Sequence, residues 1–180
     1  MTDDRYSNQR LADRARITDA LLHYCRAIDR QQLGDLLTHV FHEDATTDNG
    51  HYKGDIPGFI AMVQARHSQI PQAFHMVGNV LIDFLGDDRA FVETYCLAME
   101  HHPNDPLGPI ERVVRVRYAD VFERRGGLWK IASRAVILDH EMGIPTALCA
   151  PPFLTGERFR GVRNASDPAV LQRRALGLLT

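Results

Sequence analysis

The sequence predicts an α+β fold in which three N-terminal helices pack on a curved antiparallel sheet. Apolar residues recur at helical spacing over the first 70 positions, and they alternate with polar ones over most of residues 72–140. Short turns such as Gly86-Asp87-Asp88 and Arg125-Gly126-Gly127 join the later segments, as in an antiparallel meander. A run of helices followed by a run of strands is typical of α+β proteins.

The first two helices are expected before residue 42. Residues 9–32 carry apolar side chains largely on one stripe, and Gly34 breaks this pattern. A short second helix is expected over residues 33–41.

A strand and a third helix follow. Residues 45–48 predict a short strand, and Asn49-Gly50 is a strong hairpin turn signal. Asp55 is placed as an N-cap, with Pro57 just inside a helix that runs to about His67.

The four long strands are expected over residues 72–84, 89–102, 110–124 and 128–140. Both faces of the first of them are apolar, which fits a sheet with a ligand cavity on one side and a helix or subunit on the other. Simple alternation places on the cavity face the residues His75, Val77, Asn79 and Leu81.

The length of 180 residues indicates one domain. We expect a flexible arm over residues 1–8, the domain over residues 9–141, and an extension over residues 142–180. The extension is punctuated by proline and glycine and cannot fold alone, so it packs on the domain or on a neighbouring subunit.

The composition excludes several classes of function. A net charge of −2 builds no basic face for nucleic acid, and no apolar run approaches the roughly 18 residues of a membrane span. The polar N-terminus is no signal peptide, and three cysteines without a CxxC pair favour a cytoplasmic protein. The cysteines show no metal-ligand spacing, and His39 and His42, although spaced i, i+3, are interpreted as surface histidines. No phosphate or dinucleotide fingerprint is present, so no metal and no cofactor are expected.

Asp29 and His75 are the strongest candidates for chemistry. Asp29 ends the first helix, where a carboxylate faces the negative end of the helix dipole. His75 lies among apolar strand residues and needs a hydrogen-bond partner there. If the two meet, the carboxylate orients an imidazole that acts as a general base near neutral pH. The alternatives are a carboxylate bonded to solvent or a neighbouring arginine, and a core histidine bonded to a backbone carbonyl.

Two further residues are candidates for stabilising charge. Tyr24 is either a donor to a substrate carbonyl or departing hydroxyl, or a core aromatic residue. Arg134 is either a fixed cation for an enolate or leaving anion, or an exposed or ion-paired strand residue with Glu93 or Glu111 as partner. The candidate pocket-lining residues are Val77, Asn79, Leu81 and Tyr95.

Four blocks of the sequence resemble the SnoaL-like branch of the nuclear transport factor two-like, or cystatin-like, superfamily. They are Tyr24-Cys25-Arg26-Ala27-Ile28-Asp29, Phe41-His42-Glu43-Asp44-Ala45, His75-Met76-Val77-Gly78-Asn79 and Gly127-Leu128-Trp129-Lys130-Ile131-Ala132-Ser133-Arg134. The resemblance covers about residues 9–141 and implies a cone-shaped α+β barrel. The chain looks most like the scytalone dehydratase, hexachlorocyclohexane dehydrochlorinase and bile acid dehydratase group.

This resemblance implies an Asp–His dyad that removes a proton without a cofactor. The family's dyad matches Asp29 and His75, its helical tyrosine matches Tyr24, and the last-strand arginine of the dehydrochlorinase matches Arg134. The second strand histidine of scytalone dehydratase has only Glu100 or His101 at roughly its place. A helical lysine of the dehydrochlorinase has no clear counterpart, which leaves the leaving group and the substrate open.

The expected function is a dehydratase-type elimination on a hydrophobic cyclic small molecule. Alternatives are an isomerase or cyclase using the same base, and a non-catalytic protein similar to the β subunit of ring hydroxylases or to ligand carriers. The relatives with the dyad are trimers built on the outer sheet face, so we expect a homotrimer, with a homodimer as the alternative.

Overall fold

The computed structural model describes residues 6–148 and 161–178 and confirms the predicted α+β class. The helices are α1 (Asn8–Asp29), α2 (Ile56–His67) and α3 (Pro168–Ala175). The strands are β1 (Phe41–Asp48), β2 (Lys53–Asp55), β3 (Gln72–Phe84), β4 (Arg89–His102), β5 (Ile110–Arg125) and β6 (Leu128–Pro145).

The six strands form one sheet in the order β2-β1-β6-β5-β4-β3. Strands β3 to β6 form the expected antiparallel meander, whereas β1 pairs with β6 in parallel. Register shifts interrupt β3 between Val77 and Val80 and the pairing of β5 with β6 at two places. Such bulges increase the local twist and bend the strands, which curves the sheet.

Local sequence explains where the helices begin. The Ser7 side chain accepts from the backbone N–H of Arg10 at the start of α1. Asp55 accepts from the backbone N–H of Gly58 at the start of α2, and only this second cap was predicted. The expected second helix is instead a π-helical turn, Leu36–Val40. The chain first reverses direction after α1, with a positive φ at Gln31, and β1 already begins at Phe41, so little length remains for a helix.

Helix α1 packs across β3 and β6, and α2 packs against β1. The core between the helices and the sheet is apolar and includes Ile17, Leu21, Phe41, Phe122 and Ile131. The last turn of α1 is also buried, and it ends beside the first half of β3. This arrangement brings Asp29, at the end of α1, next to His75 on β3.

Both termini of the chain lie partly outside the described residues. Of the expected arm over residues 1–8, only the last three positions are described, and of the extension, residues 149–160 and 179–180 are not. Among the helices that are described, none has both the length and the hydropathy needed to cross a membrane.

Candidate active site

Asp29 and His75 form a hydrogen-bonded pair. Nδ1 of His75 lies 2.7 Å from Oδ1 of Asp29, and the backbone N–H of His75 donates to Oδ2 at 2.9 Å. Each side chain is only 10% exposed. An ionised carboxylate can only accept hydrogen bonds, so Nδ1 carries a proton and Nε2 of the neutral ring is left with a free lone pair.

The environment of His75 makes the imidazole a stronger base. Burial alone lowers the pKa of His75, but the hydrogen bond and negative charge of Asp29 outweigh it, so the pKa is raised above its ordinary value. A raised pKa favours uptake of a proton by the free nitrogen.

The imidazole of His75 lines a cavity of about 350 Å³ between the helices and the sheet. Most of its wall is apolar, from Ile28, Phe59, Met62, Val63, Ala98, Val114, Val116, Val136 and Leu138, and two tyrosines, Tyr24 and Tyr118, join it. Asp29 lies behind the imidazole, away from this wall. Tyr24 and Asp29 therefore need not face the same way on α1, because only His75 has to reach the cavity.

One end of the cavity is polar and centres on Glu100. This carboxylate accepts from Arg66 at 3.0 Å and contacts Nε2 of His102 at 2.9 Å, while Nε2 of His67 is 3.5 Å away. Burial raises the pKa of Glu100, but Arg66 and the histidines outweigh it, so the pKa is lowered and the group is ionised. Burial also lowers the pKa of His67 to about 4, so that ring is neutral near pH 7.

Glu100 faces the cavity because of the β3–β4 register. Ala73 pairs with Glu100 and His75 pairs with Ala98, so the carboxylate and the imidazole occupy the same face of the sheet. Arg112 also lines this end and is bonded to Glu141 on β6. The sequence signal for Glu100 was its place in the resemblance, whereas Arg66, His67 and Arg112 had no such signal.

Arg134 lies behind the two tyrosines of the cavity wall. Its guanidinium donates two hydrogen bonds to Asp120, at 2.8 and 2.7 Å, and is buried. Its Cζ lies 4.2 Å from the ring centroid of Tyr24 and 4.1 Å from that of Tyr118. One alternative for this arginine was an ion pair with Glu93 or Glu111, and the structure shows a pair with Asp120.

Burial governs the ionisation of Tyr24. It raises the pKa of this phenol to about 12, against the opposing effect of the Arg134 cation. Tyr24 is therefore protonated at neutral pH and available as a hydrogen-bond donor at the cavity wall.

None of the four expected pocket-lining residues lines this cavity. The bulge after Val77 inverts the inward and outward order of β3, so Asn79 and Leu81 face the outer side of the sheet. Tyr95 on β4 also faces outward and shares with Asn79 an open groove of about 690 Å³. Val77 does point inward, where it packs against the core.

Arg163, near the C-terminus, contacts the segments that border Asp29 and His75. Its buried guanidinium donates to the carbonyl oxygens of Ile28, Asp29 and Ile70 and lies 2.8 Å from Nδ1 of His67. No motif pointed to this arginine, because nothing in the local sequence links it to α1. Within residues 6–148 and 161–178, no group of three or more His, Cys, Asp or Glu side chains could hold a metal ion.

The sequence and the fold are similar to those of known proteins. Residues 9–135 match the SnoaL-like domain, while no curated protein sequence matches the chain. A hexachlorocyclohexane dehydrochlorinase from Novosphingobium barchaimii is 22% identical, with a TM-score of 0.70 and coverage of 80% of this chain and 98% of that one. A scytalone dehydratase candidate from Novosphingobium aromaticivorans is 18% identical, with a TM-score of 0.67 and coverage of 83% and 99%. A protein of unknown function from Nostoc punctiforme, described as having a cystatin-like fold, is 16% identical, with a TM-score of 0.59 and coverage of 71% and 92%.

Proposed function

Because the chain belongs to the SnoaL-like family, we propose that it is a small-molecule enzyme whose Asp29–His75 dyad catalyses a dehydratase-type elimination without a cofactor. The observation that carries this proposal is the hydrogen bond between Asp29 and Nδ1 of His75, with the imidazole at the wall of a cavity. Membership of the family supports a lyase or isomerase type of reaction, and the dyad supplies the base that either would need.

The elimination begins with proton transfer to His75. Its Nε2 takes a proton from a carbon of the bound molecule, and the imidazolium that forms is stabilised by the Asp29 carboxylate 2.7 Å away. The electron pair of the broken C–H bond forms a new double bond as the leaving group departs with its own pair. A general base of this kind contributes about 10²–10⁴ in rate.

Tyr24 is the proposed donor to the oxygen that gains negative charge, either a substrate carbonyl or a departing hydroxyl. Arg134 acts through Tyr24, because the cation lies against the tyrosine ring and is bonded to Asp120. A positive charge behind the phenol favours its hydrogen bond to a developing oxyanion. Arg134 is therefore a positioning residue in this proposal.

The cavity indicates the class of substrate. Its volume of about 350 Å³ is near the lower end of ligand pockets, and its wall is mostly apolar. This favours a hydrophobic cyclic molecule that carries a polar group toward the Glu100 end. We also propose that the protein works in the cytoplasm as a homo-oligomer, with a trimer favoured over a dimer, and that it binds neither nucleic acid nor membrane.

One observation favours isomerisation or cyclisation as the second candidate. An isomerase moves a proton from one atom to another, and the ionised Glu100 lies in the same cavity as His75. Glu100 would then bind the polar group of the substrate or share the proton, while no leaving group departs.

The test is to incubate the purified protein with cyclic alcohols, hydroxy ketones and enones and to identify products by mass spectrometry. Loss of water supports the elimination, a product of unchanged mass supports the isomerase or cyclase, and binding without conversion supports a ligand carrier.

The dyad is tested with His75→Ala. We expect turnover to fall by about 10²–10⁴ because the base is lost, with circular dichroism unchanged. His39→Ala, at an exposed histidine outside the cavity, is the matched control and should keep wild-type turnover. A fully active His75→Ala variant would remove the catalytic assignment.

A further inference from the structure

The end of α1 that carries Asp29 is held by a side chain from outside the matched family domain. Arg163 lies beyond residues 9–135, and its Nε and Nη2 donate to the carbonyl oxygens of Asp29 and Ile28 at 3.1 and 2.8 Å. The last carbonyls of a helix have no partner within the helix and form the negative end of its dipole. The buried guanidinium of Arg163 donates to these carbonyls and also places a positive charge at the negative end of the dipole.

The same guanidinium reaches the two other segments that border the dyad. Nη1 donates to the carbonyl oxygen of Ile70, just before β3, at 2.9 Å, and Nη2 lies 2.8 Å from Nδ1 of His67 at the end of α2. A guanidinium holds its N–H donors in a fixed planar fork, so these contacts fix three segments relative to one another. Lysine, with one rotatable ammonium group, cannot reproduce this geometry.

The contact with His67 also sets the polar end of the cavity. Arginine can only donate, and Arg163 is closer to Nδ1 of His67, at 2.8 Å, than Arg66 is to Nε2, at 3.4 Å. Nδ1 therefore accepts and the ring proton lies on Nε2. That nitrogen is 3.5 Å from Oε1 of Glu100, and both residues line the cavity. Arg163 therefore fixes the tautomer of His67. It also holds the end of α1, which carries Asp29, the hydrogen-bond partner of His75.

Other contacts dock the segment that carries Arg163. The side chain of Gln72 donates to the carbonyl oxygen of Gly161 at 3.3 Å, and the buried Asp167, which accepts from Val162 and Ala169 within the segment, lies 3.5 Å from Nε of Arg30. Val170 is fully buried. Substitution of Arg163 should thus remove the guanidinium without releasing the segment.

We propose that Arg163 is a positioning residue that holds the Asp29–His75 dyad and His67 in their working geometry. This inference rests on the proposed function for its catalytic meaning. The contacts themselves can be tested without any substrate, so the two proposals can fail separately.

The experiment compares Arg163→Gln and Arg163→Lys with the wild-type protein by NMR of the histidine rings. In Arg163→Gln we expect the Nδ1 proton of His75 to exchange faster with solvent, because Asp29 is no longer held. We also expect the pKa of His67 to rise above about 4, because burial still lowers it but the Arg163 cation is lost. Arg163→Lys should keep the pKa of His67 low but not restore the slow exchange at His75.

Arg174→Ala, at an exposed arginine on α3, is the control and should leave both signals unchanged. With a substrate in hand, Arg163→Gln should lower kcat by about tenfold to a hundredfold with little change in KM. Wild-type exchange at His75 together with a wild-type titration of His67 in Arg163→Gln would overturn the proposal. If Arg163→Gln does not fold, the exchange at His75 in Arg163→Lys decides the question by the same criterion.

Discussion

A single carboxylate determines which ring nitrogen of His75 carries the proton and which keeps a free lone pair. Asp29 accepts two hydrogen bonds from the same residue, one from the backbone N–H and one from the ring. Because both partners donate, the ring is held in one orientation and one tautomer. The residue that looked unfavourable at the end of a helix is stabilised by these bonds and by the cationic Arg163 beyond the helix end.

The substitution Asp29→Asn tests this control. Asparagine has one acceptor oxygen, so its NH₂ group must face one of the two donors, and the ring is pushed toward the wrong tautomer. We expect turnover to fall by about 10²–10⁴.

The pH dependence of kcat/KM gives a second test of the Asp29→Asn variant. In the wild type, kcat/KM should rise with pH as His75 loses its proton, with a midpoint above the ordinary value for histidine. Without the charge of Asp29 the pKa of His75 falls, so the midpoint should move to lower pH. A variant that keeps the wild-type midpoint and rate would show that Asp29 does not act on His75.

At the scale of single residues, the sequence was sufficient to predict that Asp29 and His75 meet and that Tyr24 lines the same cavity as His75, while their catalytic roles stay predictions. Each of these residues was unusual in its place or matched a block of the family, and each lies where its element predicts. The contacts of Arg163 could not be predicted, because they depend on where a distant segment docks rather than on local pattern.

At the scale of elements, the sequence predicts where the four long strands lie. It does not predict which face of the sheet each strand residue occupies. Alternation holds along β3 as far as Val77, and the bulge that follows moves Asn79 and Leu81 to the outer side. The bulge between Val121 and Phe122 likewise sets Asp120 directly opposite Arg134. Counting back from the Gly126-Gly127 turn without the bulge would pair Asp120 with Ser133. An extra residue in a strand leaves no clear mark on the hydrophobic pattern.

The pair formed across β5 and β6 gives a prediction for stability. Removing Asp120 leaves the Arg134 guanidinium buried without its counter-ion, so Asp120→Ala should lower the free energy of unfolding by about 3–5 kcal/mol. Asp88→Ala, which breaks the exposed ion pair with Arg124, is the control and should cost about 1 kcal/mol or less. Urea denaturation measures both. Equal costs for the two variants would mean that the buried pair is not a structural element of the sheet.

At the scale of the whole molecule, the outer face of the sheet exposes large apolar side chains on β3 and β4. Phe74 and Met76 on β3 are 51% and 52% exposed, and they lie opposite Met99 and Leu97 on β4. A contiguous exposed apolar patch is typical of a protein interface. The face opposite the cavity is thus available for assembly without obstructing the site.

The resemblance to the trimeric dyad enzymes implies a homotrimer, and we propose that it assembles through this outer face, which light scattering after size-exclusion chromatography tests. Met76→Asp places a charge in the centre of the patch, where burial without a partner is costly, so it should shift the protein to a smaller mass. Leu107→Asp, in a loop where the side chain is 94% exposed, adds the same charge away from the sheet and should leave the mass unchanged. Because the dyad lies on the opposite face, a dissociated Met76→Asp protein should retain the hydrogen-bonded Nδ1 proton of His75. A wild-type monomer, or a trimer that persists in Met76→Asp, would exclude this face as the interface.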